Sequence, residues 1–237
     1  IFSDDVSKAT ELNGLLMTLF FMGLTGALLV KDLDRPDRFL YVLLRPQWRS
    51  WLVRGAYIIT VFGLIVTLLL LDNFFGIGID VFWGLGALFS ILGAIYTAFL
   101  FDQARARDLW QSPFVGSIHM LLHAVMCGTV ALMILDPYLT PLMSKVLQYS
   151  IVLNLLIILK ELFFHKDTPD TKKAIMGMTK GYYSKYFWIG ILLGNMLPLL
   201  VMQTVPTYAP FAGVITLVGI YLTEFVRIRV PQMIPLI

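Results

Sequence analysis

Seven stretches of about 20 consecutive, mostly apolar residues dominate the chain, at 13–31, 54–72, 81–101, 113–135, 146–164, 186–203 and 209–226. A helix rises about 1.5 Å per residue, so each stretch matches the roughly 30 Å hydrocarbon core of a bilayer. The runs lack the strict alternation of barrel strands, which excludes a transmembrane barrel. Only 14% of residues are charged, against about 25% in a soluble domain, and 58% are hydrophobic. A soluble fold of this size could not bury that much apolar surface. The expected fold is an all-α polytopic bundle of about seven transmembrane helices, forming a single integral membrane domain over 1–237.

The charge sits in the connections. The first reads KDLDRPDRFLYVLLRPQWRSWLVRG and holds Lys31, Arg35, Arg38, Arg45, Arg49 and Arg54. Arg105 and Arg107 fall in the third connection. Lys160, Lys166, Lys172, Lys173, Lys180 and Lys185 lie in or beside the fifth, and Arg227 and Arg229 follow the last span. Of the 18 basic residues, only Lys8 and Lys145 fall on the opposite face. Cationic loops stay in the cytoplasm, so the C-terminus is expected there and Ile1 outside. Trp48, Trp51, Trp110 and Trp188 mark inner boundaries and Trp83 an outer one, as interfacial tryptophans do. The net charge of +3 therefore reflects topology and does not point to nucleic acid. Pro36 suits the first turn of a short helix lying on the inner leaflet. Pro46 ends that helix, and Ser50 is placed to cap the next span.

Polar side chains within hydrocarbon are costly and need a reason. His119, His123 and Cys127 follow at i, i+4 and i+8, which reads as one polar stripe. Counted from Ser112, His119 lies about 10 Å and His123 about 16 Å into the span. Imidazole donates and accepts near neutral pH, which suits a quinone hydrogen-bond partner or a proton relay; bonding to a neighbouring helix is the plain alternative. Two histidines on one helix face cannot clamp a haem from opposite sides, and His165 falls in the inner loop. With Cys127 as the single cysteine, neither haem nor an iron–sulfur cluster is expected in this chain, and no metal site. Asn154 and Asn195 near mid-span are candidates, with His119, for a proton path; cross-helix bonding is the plainer role. Glu224 reads as a local i,i+3 partner of Arg227. Gly86, Ser90, Gly93 and Thr97 form a small-residue stripe suited to close helix packing.

The order of the loop residues is more specific than topology requires. DLDRPDRF followed by LLRPQWRSWLVRGAYI, then AIYTAFLFDQARARDLWQSP, then KELFFHKDTPDTKKAIMGMTKGYYSKYFWIGILLGNMLPLL resemble the NrfD-type membrane subunits of polysulfide reductase and alternative complex III. The resemblance runs in order over nearly the whole chain. It departs at VRIRVPQ, where the family usually has Ala-Gly-Gln. It also implies eight or more helices in the complete chain, with an upstream span that contributes to the quinone pocket in relatives.

The resemblance implies a quinone-binding subunit, not a complete enzyme alone, in a respiratory oxidoreductase of a bacterial or archaeal cytoplasmic membrane. It would exchange electrons between menaquinone or ubiquinone and an iron–sulfur partner, beside a molybdopterin or multihaem cytochrome subunit; whether proton movement is coupled to this is left open. A quinone head near the outer face would bring Glu11, Asn13 and Asp80 into use alongside His123 and His119; helix capping and water contact account equally for the first three. Asp32, Asp34, Arg35, Pro36 and Arg38 form the family motif, read here as structural. The rival readings are a secondary transporter and a purely structural anchor for a redox enzyme.

Overall fold

The structure is a computed structural model describing residues 7–31, 35–36, 39–103, 108–164 and 168–235. Asp32, Asp34, Arg38 and His165 lie outside the described residues. Among the described residues there is no strand, and seven helical segments are long and apolar enough to cross a membrane. The chain divides into two compact units, Ile1–Leu100 and Phe101–Ile237.

The first unit holds α1 (Lys8–Lys31), the short α2 (Phe39–Leu44), α3 (Trp51–Phe75) and nearly all of α4 (Val81–Asp102). α1 starts where Ser7 can cap it: the Ser7 hydroxyl accepts the Thr10 N–H at 3.1 Å. Leu15 of α1 packs on Ile65, Val66 and Leu69 of α3, with Phe82 and Phe89 of α4 alongside. Of the small-residue stripe on α4, Gly86 meets a neighbour. A Cβ there would stand 3.6 Å from Ile65 and Leu69, whereas one on Gly93 would meet nothing within 4 Å. α2 exposes Leu40, Tyr41 and Leu44, as a helix lying on a leaflet does, and the Tyr57 hydroxyl donates to the Leu43 carbonyl at 2.6 Å to hold it on α3. Ser50 occupies the N-cap position of α3 in extended conformation, but its side chain makes no capping bond. Gly76 ends α3 in the left-handed region (φ 63°), its N–H bonded to the Asp72 carbonyl, as a C-terminal glycine does.

The second unit holds α5 (Pro113–Leu135), α6 (Thr140–Phe163), α7 (Pro169–Thr179), α8 (Ser184–Ile191), α9 (Leu197–Thr204) and α10 (Ala209–Gln232). A π-turn over Leu192–Met196 joins α8 to α9 into one 21-residue segment. Pro198 explains the turn: it lacks an N–H, and in a regular helix its ring would strike the Gly194 carbonyl four residues back. The glycines beside it set a close crossing. Gly219 of α10 lies backbone to backbone against Gly194, and a Cβ on Gly190 would come 2.8 Å from the Thr223 side chain. Toward the short connections at 136–139 and 205–208, Met126, Val130, Met133, Leu147, Ile151 and Met202 form an apolar core. A second apolar cluster, around Ile158, Met178, Phe187, Ile191 and Val226, lies toward the basic connections.

Several helices outrun the apolar stretches. α1 begins at Lys8, α6 at Thr140, and α10 continues to Gln232 through Arg227 and Arg229. Hydropathy marks the length in hydrocarbon, while a helix ends only where its backbone bonds end.

Candidate functional site

Between the two apolar clusters of the second unit lies a chain of buried polar side chains from α5, α6, α10 and the π-turn. His119 and His123 are only 3% and 7% exposed, Asn154 and Asn195 1% each. The π-turn aims Asn195 inward, where its Nδ2 donates to the Ile191 carbonyl at 3.4 Å and its Oδ1 accepts from Asn154 Nδ2 at 2.9 Å. Asn154 Oδ1 stands 3.1 Å from His123 Nε2, which stands 3.0 Å from His119 Nε2. Arg227 Nη1 meets His119 Nδ1, and Arg227 Nη2 donates to Glu161 Oε1. Glu224 Oε1 lies 3.3 Å from His123 Nδ1, 3.8 Å from His119 Nε2 and 3.7 Å from Arg227 Nη1. Trp110 Nε1 donates to the Arg227 carbonyl at 3.2 Å, tying the loop before α5 to α10.

The partners fix where protons can be. A carbonyl only accepts, so the series starting at Ile191 orients both amides and asks His123 Nε2 to donate to Asn154. A guanidinium only donates, so Arg227 makes His119 Nδ1 an acceptor and leaves the proton of neutral His119 on Nε2. Both series thus deliver a proton to the His119–His123 contact, which holds one. When His119 donates there, neutral His123 carries its proton on Nδ1, facing Glu224, and Asn154 Oδ1 loses its donor. When His123 donates to Asn154, its Nδ1 has no proton to offer an ionised Glu224 Oε1 3.3 Å away, which keeps its longer contact with Arg227. With Glu224 ionised, the two tautomers of neutral His123 exchange one partner for another.

The donor atoms of His119, His123 and Glu224 lie within 4.8 Å of one another, a spacing that could hold a small cation. Arg227 already places a fixed positive charge against two of the three, so a dication would enter against strong repulsion in a low dielectric. The cavity beside His119, lined also by Glu161, Thr223, Glu224 and Arg227, measures about 20 Å³. That is room for about one water molecule. A quinone ring does not fit it.

Of the residues singled out from sequence, the structure brings together His119, His123, Asn154 and Asn195. Glu11, Asn13 and Asp80 lie in the first unit, where the up-and-down course of α1, α3 and α4 puts them at one end; Glu11 is half-buried, Asn13 and Asp80 exposed. Arg35 and Pro36 are exposed. Cys127 leaves the stripe and is exposed, because each four-residue step on a helix drifts about 40° and two steps carry it off the buried face. Glu161 escapes notice in the sequence because KELFF reads as the start of a charged loop, yet it follows Asn154 by seven residues, two turns along the same face. Glu224 and Arg227 do pair, but each also reaches α5, and Arg227 reaches α6.

Compared with known proteins, the chain matches none of the curated sequences. A family model described as polysulphide reductase, NrfD matches residues 4–234, nearly its full length. With that match carried on a fold that has seven membrane-length helices among the described residues, the chain belongs to the NrfD family of membrane subunits of redox complexes.

Proposed function

We propose that this chain links the membrane quinone pool to an iron–sulfur partner subunit of a respiratory oxidoreductase, and that its buried polar cluster handles the protons of that reaction. Quinone redox chemistry takes up or releases two protons with two electrons, so a site of this kind needs proton-carrying groups within reach. The observation that carries the reading is the juxtaposition of two histidines, two glutamates, an arginine and two asparagines within a membrane-length helix bundle. Ion pairing alone would meet a structural anchor's needs; two adjacent histidines able to exchange a proton go beyond that. In this reading the His119–His123 pair serves proton transfer to and from the quinone head. The basic connections face the cytoplasm, and the C-terminus with them.

The test is His123→Leu in the assembled complex, with quinol-linked turnover measured per mole of intact complex. Turnover is expected to fall at least tenfold, and by up to the ~10²–10⁴ range of general acid–base catalysis. Unchanged turnover would leave the anchor reading standing. Substrate-driven ion flux in vesicles holding this chain without partners would favour a transporter.

A further inference from the structure

A second cavity, of about 170 Å³, lies beside the first at the end of the unit that carries the basic connections. Its lining includes Asp108, Gln111, Ser112, Lys160, Glu161 and Thr171, drawn from the loop before α5, the end of α6 and the start of α7. Ser112 and Lys160 are exposed, so the cavity opens at the surface. It has room and polar partners for several waters. Glu161 and Leu109 line both this cavity and the 20 Å³ space beside His119. Glu161 therefore forms part of the wall between them, facing polar space on one side and Arg227 on the other. In the opposite direction the polar chain ends at Asn195. Beyond it stand the apolar Met126, Val130, Met133, Leu147, Ile151 and Met202, and the buried hydroxyls of Thr129 on α5 and Thr216 on α10 donate to carbonyls of their own helices.

We propose that the 170 Å³ cavity is a hydrated vestibule through which the His119–His123–Glu224 cluster exchanges protons with water on the side of the basic connections, Glu161 being the group that passes them. This rests on the proton-handling role given to the cluster above. The step balances: a hydronium in the vestibule protonates Glu161 and becomes water, and Glu161 passes the proton across the 20 Å³ space, which has room for about one water molecule, to Glu224. No electron moves. Arg227 stays charged throughout and holds the carboxylates in place.

The experiment uses the assembled complex in sealed vesicles, with Cys127→Ser to remove the native thiol. Single cysteines are placed at Ser112 and Val115 in the vestibule, at Val130 in the apolar core, and at Lys180 as a reference for the basic side. A charged, membrane-impermeant methanethiosulfonate is the probe. Ser112→Cys and Val115→Cys are expected to react from the side on which Lys180→Cys reacts, and at least tenfold faster than Val130→Cys. Equal rates at Val115→Cys and Val130→Cys, or reaction from the other side, would overturn the vestibule. Glu161→Gln is then assayed for quinol-linked turnover, with an expected drop of at least tenfold while Val115→Cys labelling persists. Full turnover in Glu161→Gln would overturn its role as the gateway. Labelling is independent of quinone chemistry, so a reactive vestibule beside a fully active His123→Leu complex would refute the proton-handling role and not the access route.

Discussion

The two units of this chain solve the same problem differently. In the first, α1, α3 and α4 bury little: 6% to 17% of each apolar window is enclosed, and among the described residues Thr10 alone is a buried polar side chain. In the second, 33% to 39% of each window is enclosed, and the enclosed part includes two histidines and two asparagines. Lipid is as apolar as leucine, so hydrophobicity does not drive helices together within a membrane; close packing and polar contacts do. The second unit has both, a glycine crossing and a charged cluster. The first has one small apolar cluster, and its outward faces are left to lipid or to other protein.

That contrast can be broken most severely at Arg227. Arg227→Met removes the cation that faces both Glu161 and Glu224 and leaves two buried acids without it. Breaking a buried ion pair from one side costs about 3–5 kcal/mol. The purified complex should show a large drop in thermal midpoint or fail to assemble. Adding Glu161→Gln to Arg227→Met should restore part of the loss, because the two changes share one interaction. A midpoint unmoved by Arg227→Met would mean that the cluster does not hold the second unit together. An effect of Leu147→Ala comes next. Leu147 is fully enclosed, and its truncation leaves a cavity in the core beside Met126 and Ile151. The loss should be about 2 kcal/mol, the low end of the soluble range, since the unfolded reference in lipid recovers part of the transfer energy.

The sequence makes the first unit easier to read than the second. Runs of apolar residues locate every span, because bilayer thickness fixes their length. They do not locate helix ends: Lys145 bounds the apolar run of α6 without ending its helix, and Arg227 does the same in α10. The His119–His123 pair is legible from its spacing of four. The rest of the site is assembled across helices, and a contact such as Arg227 with Glu161, 66 residues apart, leaves no local signature. The π-turn has only Pro198 and its neighbouring glycines to announce it, and they do not say which side chain the widened turn will present. Asn195 faces inward because of that turn.

The smallest effect is expected in the first unit, and its size is the informative part. Leu28 of α1 is 56% exposed, and substitution by alanine removes contacts with whatever surrounds the helix. If that is lipid, acyl chains fill the space left behind, no cavity persists and no apolar surface meets water. The change in stability should then stay within about 0.5 kcal/mol, as for other substitutions outside packed sites. The measurement is the thermal midpoint of the isolated chain in lipid nanodiscs, repeated on the assembled complex. A null result in both assigns this face of α1 to the bilayer. A loss of 1 kcal/mol or more in the complex alone would show that protein covers it there, because only a packed partner leaves a cavity when a leucine is cut back. The thin packing of the first unit would then reflect a missing neighbour rather than a surface adapted to lipid.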